Sequence, residues 1–239
     1  MSKIKKLLRL LQSADYRRGL KHGVAGAIEH DDPMRSLAIG SLIDVGANKG
    51  QFSLVVRRWH PTAVIHAFEP LEEPATTYRK VFADDPRTTL HQQAMGVEPG
   101  NAEIHVSQRM DSSSLLPISK RQHEIFPGTQ EASRRVITVV RGDDALAGAD
   151  LPGPLLIKLD VQGFELAALQ GMPELLERAD HVYTEVSFLS LYDGQALAHE
   201  LVAFITASGF RFSGVHNVVP GQDGAAVQAD LLFSRTTRA

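Results

Sequence analysis

The 239-residue sequence contains no cysteine, which excludes disulfide frameworks, thiolate metal sites and cysteine nucleophiles. No apolar run approaches the roughly 18 residues that a membrane-spanning helix needs. A basic excess is also missing, because 25 Lys and Arg residues stand against 28 Asp and Glu residues. We therefore expect a cytoplasmic protein that is neither integral to a membrane nor a general nucleic-acid binder.

What the sequence does contain is a short apolar run that ends in an acid and a glycine turn. Ser41 to Val45 is aliphatic, as expected of a strand buried on both faces of a parallel sheet. Asp44 stands near its carboxyl end. Gly46 and Gly50 allow the backbone to turn tightly and to come close to a ligand. Apolar residues then recur with helical spacing, so the stretch predicts a strand, a turn and a helix.

Two further predicted strands also end in acids. Ala63 to Phe68 is followed by Glu69, at close to the roughly 20-residue spacing that places a carboxylate on ribose hydroxyls in a Rossmann-type site. Leu155 to Leu159 is followed by Asp160. Ligands of open α/β sheets bind outside the carboxyl ends of the strands, so these acids are expected to converge with Asp44 on one ligand.

The order of elements predicts the fold class. Strands and helices alternate, which indicates an α/β protein with a mostly parallel, Rossmann-like sheet and helices on both faces. Phe210 to Val215 and Gln228 to Phe233 predict an antiparallel pair at one sheet edge. The polar segment Gln108 to Arg135 lacks periodicity and is typical of a substrate lid or a disordered excursion. We predict one domain over residues 37–239 and an N-terminal extension over residues 1–36.

The first 24 residues predict a basic amphipathic helix. Its apolar face comprises Ile4, Leu7, Leu8 and Leu11, and the surrounding basic residues are Lys3, Lys5, Lys6 and Arg9. One interpretation is a helix that lies on the anionic inner face of a membrane. The other, which we favour, is a cap that packs on the domain or on the partner in a homodimer.

The glycine turn narrows the choice of cofactor. A dinucleotide site needs the pattern G-x-G-x-x-G, but Asn48 and Gln51 stand at the second and third glycine positions. The cradle for pyrophosphate is therefore missing, and a nucleoside-like ligand without phosphates remains. An acid at the turn also suits a cationic ligand. An NAD(P)-dependent oxidoreductase is thus a disfavoured alternative, and a non-catalytic scaffold that binds a partner through its N-terminal helix is another.

Four stretches resemble the FkbM family of S-adenosylmethionine-dependent methyltransferases: DVGANKGQFS at 44–53, AFEP at 67–70, IKLDVQGFELAALQGM at 157–172 and TEVSFLSLY at 184–192. The resemblance extends over about residues 42–233 and implies a class I methyltransferase sheet. It implies O-methylation of a hydroxyl on a sugar, glycolipid, polysaccharide or secondary metabolite, so the partner is a small-molecule or glycan acceptor. Gln162 is a departure, because the family usually has Glu there.

The resemblance also implies roles for individual residues. Asp44 and the turn would hold the methionine end of S-adenosylmethionine, Glu69 the ribose, and Ala94 with Met95 the adenine. The expected cofactor-binding residues are Asp44, Gly46, Ala47, Asn48, Gly50, Phe52, Glu69, Pro70, Ala94, Met95, Ser113 and Asp160.

A sugar hydroxyl is a weak nucleophile, so a general base is expected. Asp160 is the first candidate, since it should lie beside the transferred methyl group. Glu185, at the end of the next strand, and His216, in a loop after a closing strand, are the alternatives. A Mg²⁺ ion held by Asp160 and Glu185 is a disfavoured alternative, and we assign no metal ligands.

Overall fold

The computed structural model describes the backbone of residues 3–236 and the side chains of residues 7–236. The strands are β1 (Ser41–Val45), β2 (Val64–Phe68), β3 (Thr88–His91), β4 (Ala94–Met95), β5 (Gly100–Ser107), β6 (Glu131–Val140), β7 (Leu155–Leu159), β8 (His181–Ser187), β9 (Phe210–Pro220) and β10 (Ala226–Arg235). The helices are α1 (Lys3–Gln12), α2 (Ala14–Lys21), α3 (Asp31–Ser36), α4 (Gln51–Trp59), α5 (Glu72–Val81), α6 (Lys120–Ile125), α7 (Gly142–Ala145), α8 (Glu165–Gln170), α9 (Pro173–Arg178) and α10 (Ala198–Ala207). Short 3-10 turns occupy Ile28–His30 and Met110–Ser112.

Seven strands form the central sheet, in the order β3-β2-β1-β7-β8-β10-β9. β1 pairs in parallel with both of its neighbours, β2 and β7. β10 runs antiparallel to β8 and to β9. The sheet is therefore mostly parallel with an antiparallel pair at one edge, and the predicted fold class is confirmed.

β1 and β7 are buried along their whole length because helices cover both faces of the sheet. Ile43 and Ile157 pack into the cluster on one face, and Leu42 and Leu156 into the cluster on the other. This alternation is the reason why both strands are rich in aliphatic residues. It also places the loops after β1, β2 and β7 at one edge of the sheet.

A second sheet has three strands in the order β4-β6-β5. The segment Thr88 to Ala94, expected to form one strand, divides between β3 in the central sheet and β4 in this one. The polar segment Gln108 to Arg135 contains a 3-10 turn, α6 and the first half of β6. That half pairs with β5 but exposes its side chains, so no hydrophobic pattern marks it as a strand.

The closing strands are longer than expected. β9 continues to Pro220 because β10 pairs with it throughout, with Asp230 opposite His216. His216 therefore lies inside an edge strand, and its expected place in a loop is wrong.

The N-terminal residues pack on the sheet rather than forming one continuous helix. Ser13 caps α2 and separates it from α1. Tyr16 is fully buried, and its hydroxyl donates a hydrogen bond to the buried Asp31 carboxylate, which also accepts one from Trp59 Nε1 at 2.8 Å. On α1 it is Leu10 that packs into the core. The expected apolar face is exposed at Leu7, Leu8 and Leu11, while the Ile4 side chain lies outside the described residues.

None of the helices between residues 3 and 236 combines the length and the apolar character required to cross a membrane.

Candidate functional site

A cavity of about 400 Å³ opens at the carboxyl ends of β1, β2 and β7. Several segments of the chain line it. The turn after β1 and the loops after β2 and β7 form its floor, residues 25–30 form one wall, and residues 110–115 form another. The cavity thus lies where open parallel sheets bind their ligands.

The turn after β1 can form only with glycine at position 46. Gly46 has φ of +78°, and a Cβ added there would lie 1.9 Å from the backbone oxygen of Asp160. The backbone N–H groups of Gly46 and Ala47 both donate to the Phe68 carbonyl at 3.0 Å. The turn is therefore fixed against the loops of both neighbouring strands, and its next residues face the cavity.

Glu69 lies on the cavity wall with both carboxylate oxygens engaged. They accept hydrogen bonds from the backbone N–H groups of Asn48 at 3.0 Å and Leu71 at 2.8 Å. Burial raises the pKa of Glu69 to about 7, against the opposing effect of these N–H groups. Each oxygen keeps a further lone pair, so the carboxyl group can still accept hydroxyl donors from a ligand.

Asp44 lies beneath the cavity and does not line it. Its side chain is fully buried, and Oδ2 accepts a hydrogen bond from Ser53 Oγ at 2.7 Å. Oδ1 lies 3.3 Å from Nζ of Lys158. A direct contact of Asp44 with the cofactor stays a prediction, and its position favours an indirect effect through Lys158.

Lys158 is a residue of the cavity wall that sequence reasoning missed. Its ammonium group donates to the Gly46 carbonyl at 3.1 Å and lies 3.9 Å from Oδ2 of Asp160. Burial alone lowers the pKa of Lys158, but Asp44 and Asp160 outweigh it, so the pKa is raised and the group is charged. The available signal was a lysine inside a strand that is otherwise aliphatic.

Most of the expected cofactor-binding residues line the cavity. Those that do are Gly46, Ala47, Asn48, Phe52, Glu69, Pro70, Ala94, Met95, Ser113 and Asp160. Asp44 and Gly50 do not, because the Asp44 side chain is fully buried, and Gly50, with φ of +92°, packs beside Phe82 at the start of α4. Their roles in binding stay predictions.

The two alternative bases, Glu185 and His216, also lie outside the cavity wall. Glu185 accepts hydrogen bonds from Gln162 at 3.1 Å and Gln228 at 2.9 Å. Burial raises its pKa well above the ordinary range, and the nearby carboxylates add to this. His216 packs behind Tyr183, with ring centroids 5.9 Å apart.

Gln162 has a physical reason to differ from the Glu that the resemblance implies. Its amide nitrogen donates to Asp160 at 2.8 Å and to Glu185 at 3.1 Å, and its Oε1 accepts from Tyr192 at 2.7 Å. A carboxylate here would repel the two acids, whereas the amide connects them.

The N-terminal wall was also missed by sequence reasoning. It includes Ala25, Gly26, Glu29 and His30. A lone histidine outside every recognised motif carries no sequence signal, because its partners come from β8 and β10, more than 150 residues later. Within residues 3–236, no group of three or more His, Asp and Glu side chains is arranged to hold a metal ion.

Comparison with known proteins shows which family the chain belongs to. A family model described as the methyltransferase FkbM domain matches residues 44–212. The 2-O-methyltransferase NoeI of Sinorhizobium fredii is 26% identical over 178 residues, 72% of this chain and 70% of that protein. The hexuronic acid methyltransferase AglP of Haloferax volcanii is 26% identical over 150 residues, 61% of this chain and 55% of that protein.

Among solved structures, an O-methyltransferase family protein from Burkholderia thailandensis shares the fold. Its TM-score is 0.50 at 9% identity, over 97% of this chain and 63% of that chain. Because the family model covers more than half of the sequence, the protein belongs to the FkbM family of methyltransferases, on a class I methyltransferase sheet.

Proposed function

We propose that the protein transfers a methyl group from S-adenosylmethionine to a hydroxyl of a sugar, whether on a glycolipid, a polysaccharide or a secondary metabolite. The observation that carries this proposal is the single cavity onto which the glycine turn, Glu69 and Asp160 converge. Membership of the FkbM family supports methyl transfer. The names of the 2-O-methyltransferase and the hexuronic acid methyltransferase support a sugar acceptor.

The residues of the cavity fit this cofactor. Glu69 would accept the ribose hydroxyls, and Ala94, Met95 and Phe164 offer apolar surface to an adenine ring. The close approach of the turn to the Asp160 loop leaves no room for a side chain where the methionine end would lie. When bound, S-adenosylmethionine supplies an activated methyl group on a cationic sulfonium, which suits the carboxylate of Asp160.

The protein itself aligns the reacting atoms and limits the access of water to them. Residues 25–30 and 110–115 cover the two sides of the cavity and limit the access of water. The acceptor oxygen, the methyl carbon and the sulfur must lie in line, and holding them there is worth several kcal/mol, about 7–11 kcal/mol in the best intramolecular cases. Most of the expected rate enhancement therefore comes from alignment, with a base adding to it.

The cofactor assignment is tested by calorimetry with S-adenosylhomocysteine. We expect Glu69→Ala to weaken its binding by at least about 10-fold, since two hydrogen bonds to ribose are lost. Glu98→Ala, which removes an exposed glutamate from a turn, serves as the matched control. Unchanged affinity in Glu69→Ala would remove the ribose assignment.

A thermal-shift comparison separates the alternatives. Stabilisation by S-adenosylmethionine and S-adenosylhomocysteine, with none by NAD, is the expected result. Stabilisation by NAD alone would favour the oxidoreductase, and no stabilisation by any of the three would favour a non-catalytic scaffold. With methyl-labelled cofactor and a panel of methyl glycosides, activity that survives EDTA would exclude the Mg²⁺ alternative.

Because its leucine face is exposed, we further propose, in place of the cap favoured from the sequence, that α1 contacts the anionic inner face of a membrane. Leu7, Leu8 and Leu11 are each about half exposed, on a helix whose sequence is rich in lysine and arginine. Such a helix binds lipid through its apolar face and through attraction to anionic headgroups. This placement would suit an enzyme whose acceptor is a glycolipid. A homodimer formed through the same face is the competing outcome of the test.

A further inference from the structure

His30 lies on the cavity wall but belongs to the N-terminal segment, outside the part of the chain that matches the family. Its ring stands edge-on to Phe52, at 5.3 Å and 71°, and to Tyr183, at 5.6 Å and 86°. Phe52 and Tyr183 stack on each other at 5.8 Å. Contacts on two sides fix the orientation of the imidazole.

One ring nitrogen of His30 is committed to protein partners. Nδ1 lies 3.0 Å from the Tyr183 hydroxyl and 3.6 Å from Oδ2 of Asp230. The Tyr183 hydroxyl is itself hydrogen bonded to Asp230, which leaves its oxygen free to accept Nδ1–H. The Asn217 amide nitrogen lies 3.2 Å from Nδ1, but its two hydrogens have the Asp230 carboxylate, at 2.8 Å, and the Tyr183 hydroxyl oxygen as acceptors. This arrangement favours the tautomer that carries its hydrogen on Nδ1.

The other nitrogen, Nε2, is on the opposite edge of the ring. No hydrogen bond joins it to any residue in the described part of the chain. Because Nδ1 is turned towards Asp230 and the ring borders the cavity, Nε2 is the nitrogen available to a ligand. In the favoured tautomer it holds an unshared electron pair.

The charge of His30 depends on groups from three elements. The charged groups that act on it are Glu29 on its own turn, Lys158 and Asp160 at β7, and Asp230 on β10. Burial lowers the pKa of His30, and Asp230 and Glu29 oppose this without reversing it. The imidazole is therefore neutral at neutral pH, which is the form that accepts a proton.

The other titratable groups near the cavity suit this task less well. Asp160 accepts a hydrogen bond from Gln162 at 2.8 Å and faces the Lys158 ammonium at 3.9 Å. Lys158 is charged, and Glu185 lies outside the cavity wall.

We propose that His30, positioned by Asp230, is the general base of the methyl transfer proposed above. In this step the acceptor oxygen bonds to the methyl carbon as the carbon–sulfur bond breaks, and the electron pair of that bond stays on sulfur. The hydroxyl proton goes to Nε2 of His30. Asp230 stabilises the imidazolium that results, and Asp160 with Lys158 forms the adjacent wall.

The tautomer is measured without any acceptor. Long-range ¹H–¹⁵N correlation spectra of the uniformly labelled protein, assigned with His30→Gln, report which nitrogen carries the hydrogen. We expect the Nδ1–H form at pH 7.5, and a change in the His30 signals when S-adenosylhomocysteine is added. The exposed His199 should not respond. A dominant Nε2–H form would overturn the proposal.

Asp230→Asn tests the positioning role in the same spectra. Asp230 raises the pKa of His30, so its removal should move the His30 titration to lower pH and reduce the Nδ1–H fraction. A role in packing alone would leave both quantities unchanged.

Kinetics supply the second measurement, with the glycoside panel and labelled cofactor. His30→Gln should lower kcat by about 10² to 10⁴-fold with little change in the affinity for S-adenosylhomocysteine. The variant should also lose the increase of kcat with pH that forms the acidic limb of the parent protein's pH profile. His199→Gln should retain both the rate and the profile.

The outcomes separate this proposal from the proposed function. If S-adenosylhomocysteine does not bind, methyl transfer itself fails. If it binds and His30→Gln keeps the rate and the acidic limb, while Asp160→Asn loses them, methyl transfer stands and the base is Asp160.

Discussion

Lys158 shows how one buried charge can organise a site. Its ammonium lies between Asp44 and Asp160 and also contacts the turn through the Gly46 carbonyl. A buried ion pair of this kind adds little net stability, but the loss of one partner leaves an uncompensated charge. Lys158 thus compensates the charge of the fully buried Asp44 carboxylate.

Glu165 leads to a prediction about pH. Its Oε1 accepts hydrogen bonds from the backbone N–H groups of Val161 at 2.9 Å and Gly163 at 3.2 Å, in the loop that follows Asp160. Burial raises its pKa from the ordinary 4.5 to about 7. The folded protein therefore holds this proton more tightly than the unfolded chain does, and the stability owed to Glu165 falls as pH rises from about 4.5 to about 7.

We expect Glu165→Gln to relieve this loss, because the amide oxygen still accepts both hydrogen bonds. The difference in free energy of unfolding between Glu165→Gln and the parent protein should shift in favour of the variant by about 2 to 3 kcal/mol as the pH rises from 5 to 8. Urea unfolding at several pH values measures this. If the free energies of unfolding of the two proteins depend on pH in the same way, folding does not raise the pKa of Glu165 and the prediction is wrong.

Among the elements, α1 carries a prediction about lipid. The triple variant Leu7→Gln, Leu8→Gln, Leu11→Gln should lose most of its co-sedimentation with vesicles rich in phosphatidylglycerol, because each leucine is about half exposed. Val136→Gln, at an exposed site on β6, is the matched control. High salt should weaken binding of the parent protein.

Size-exclusion chromatography identifies the competing outcome. If the triple variant converts a dimer to a monomer while vesicle binding is unchanged or absent throughout, the leucine face belongs to a second copy of the chain.

Individual elements show why sequence prediction succeeded in some places and failed in others. β1 and β7 have the predicted bounds, because a strand between two covered faces is rich in aliphatic residues. The first half of β6 is exposed and polar, so only its pairing with β5 defines it. The sequence from Phe164 to Met172 predicts a helix that ends near Gly171, and α8 forms there, whereas α9, which begins at Pro173, was not predicted.

The residues of the candidate site likewise include some that the sequence predicted and some that it did not. Gly46, Glu69 and Asp160 were predictable because each stands at a fixed place after a strand. His30 was not, since its significance depends on Tyr183 and Asp230, which only the folded sheet brings beside it.

At the scale of the whole molecule, the N-terminal segment is the point to test. Tyr16, Ile28 and Met34 lie in the same core cluster as Leu54 and Val55 of α4. We expect a chain that begins at residue 37 to lose cooperative unfolding and the binding of S-adenosylhomocysteine, because it exposes that cluster and lacks one cavity wall.

A chain that begins at residue 9 is the matched control. It keeps Leu10 and Tyr16 and should melt cooperatively, as followed by circular dichroism and calorimetry. A cooperative transition in the chain that begins at residue 37 would instead show that residues 37–239 fold independently, as the predicted domain boundary implies.

The contact between His30 and Asp230 joins positions 200 residues apart. Closing a loop of that length costs about 5 kcal/mol of chain entropy, so this contact forms only after the nearer strands have paired. On the ribosome, Asp230 emerges long after the turn at Gly46 and the strands on either side of it. A nascent chain can therefore form the cavity floor at β1 and β2 well before it forms the histidine–carboxylate pair, and methyl transfer through the proposed pair requires β10 to have joined the sheet.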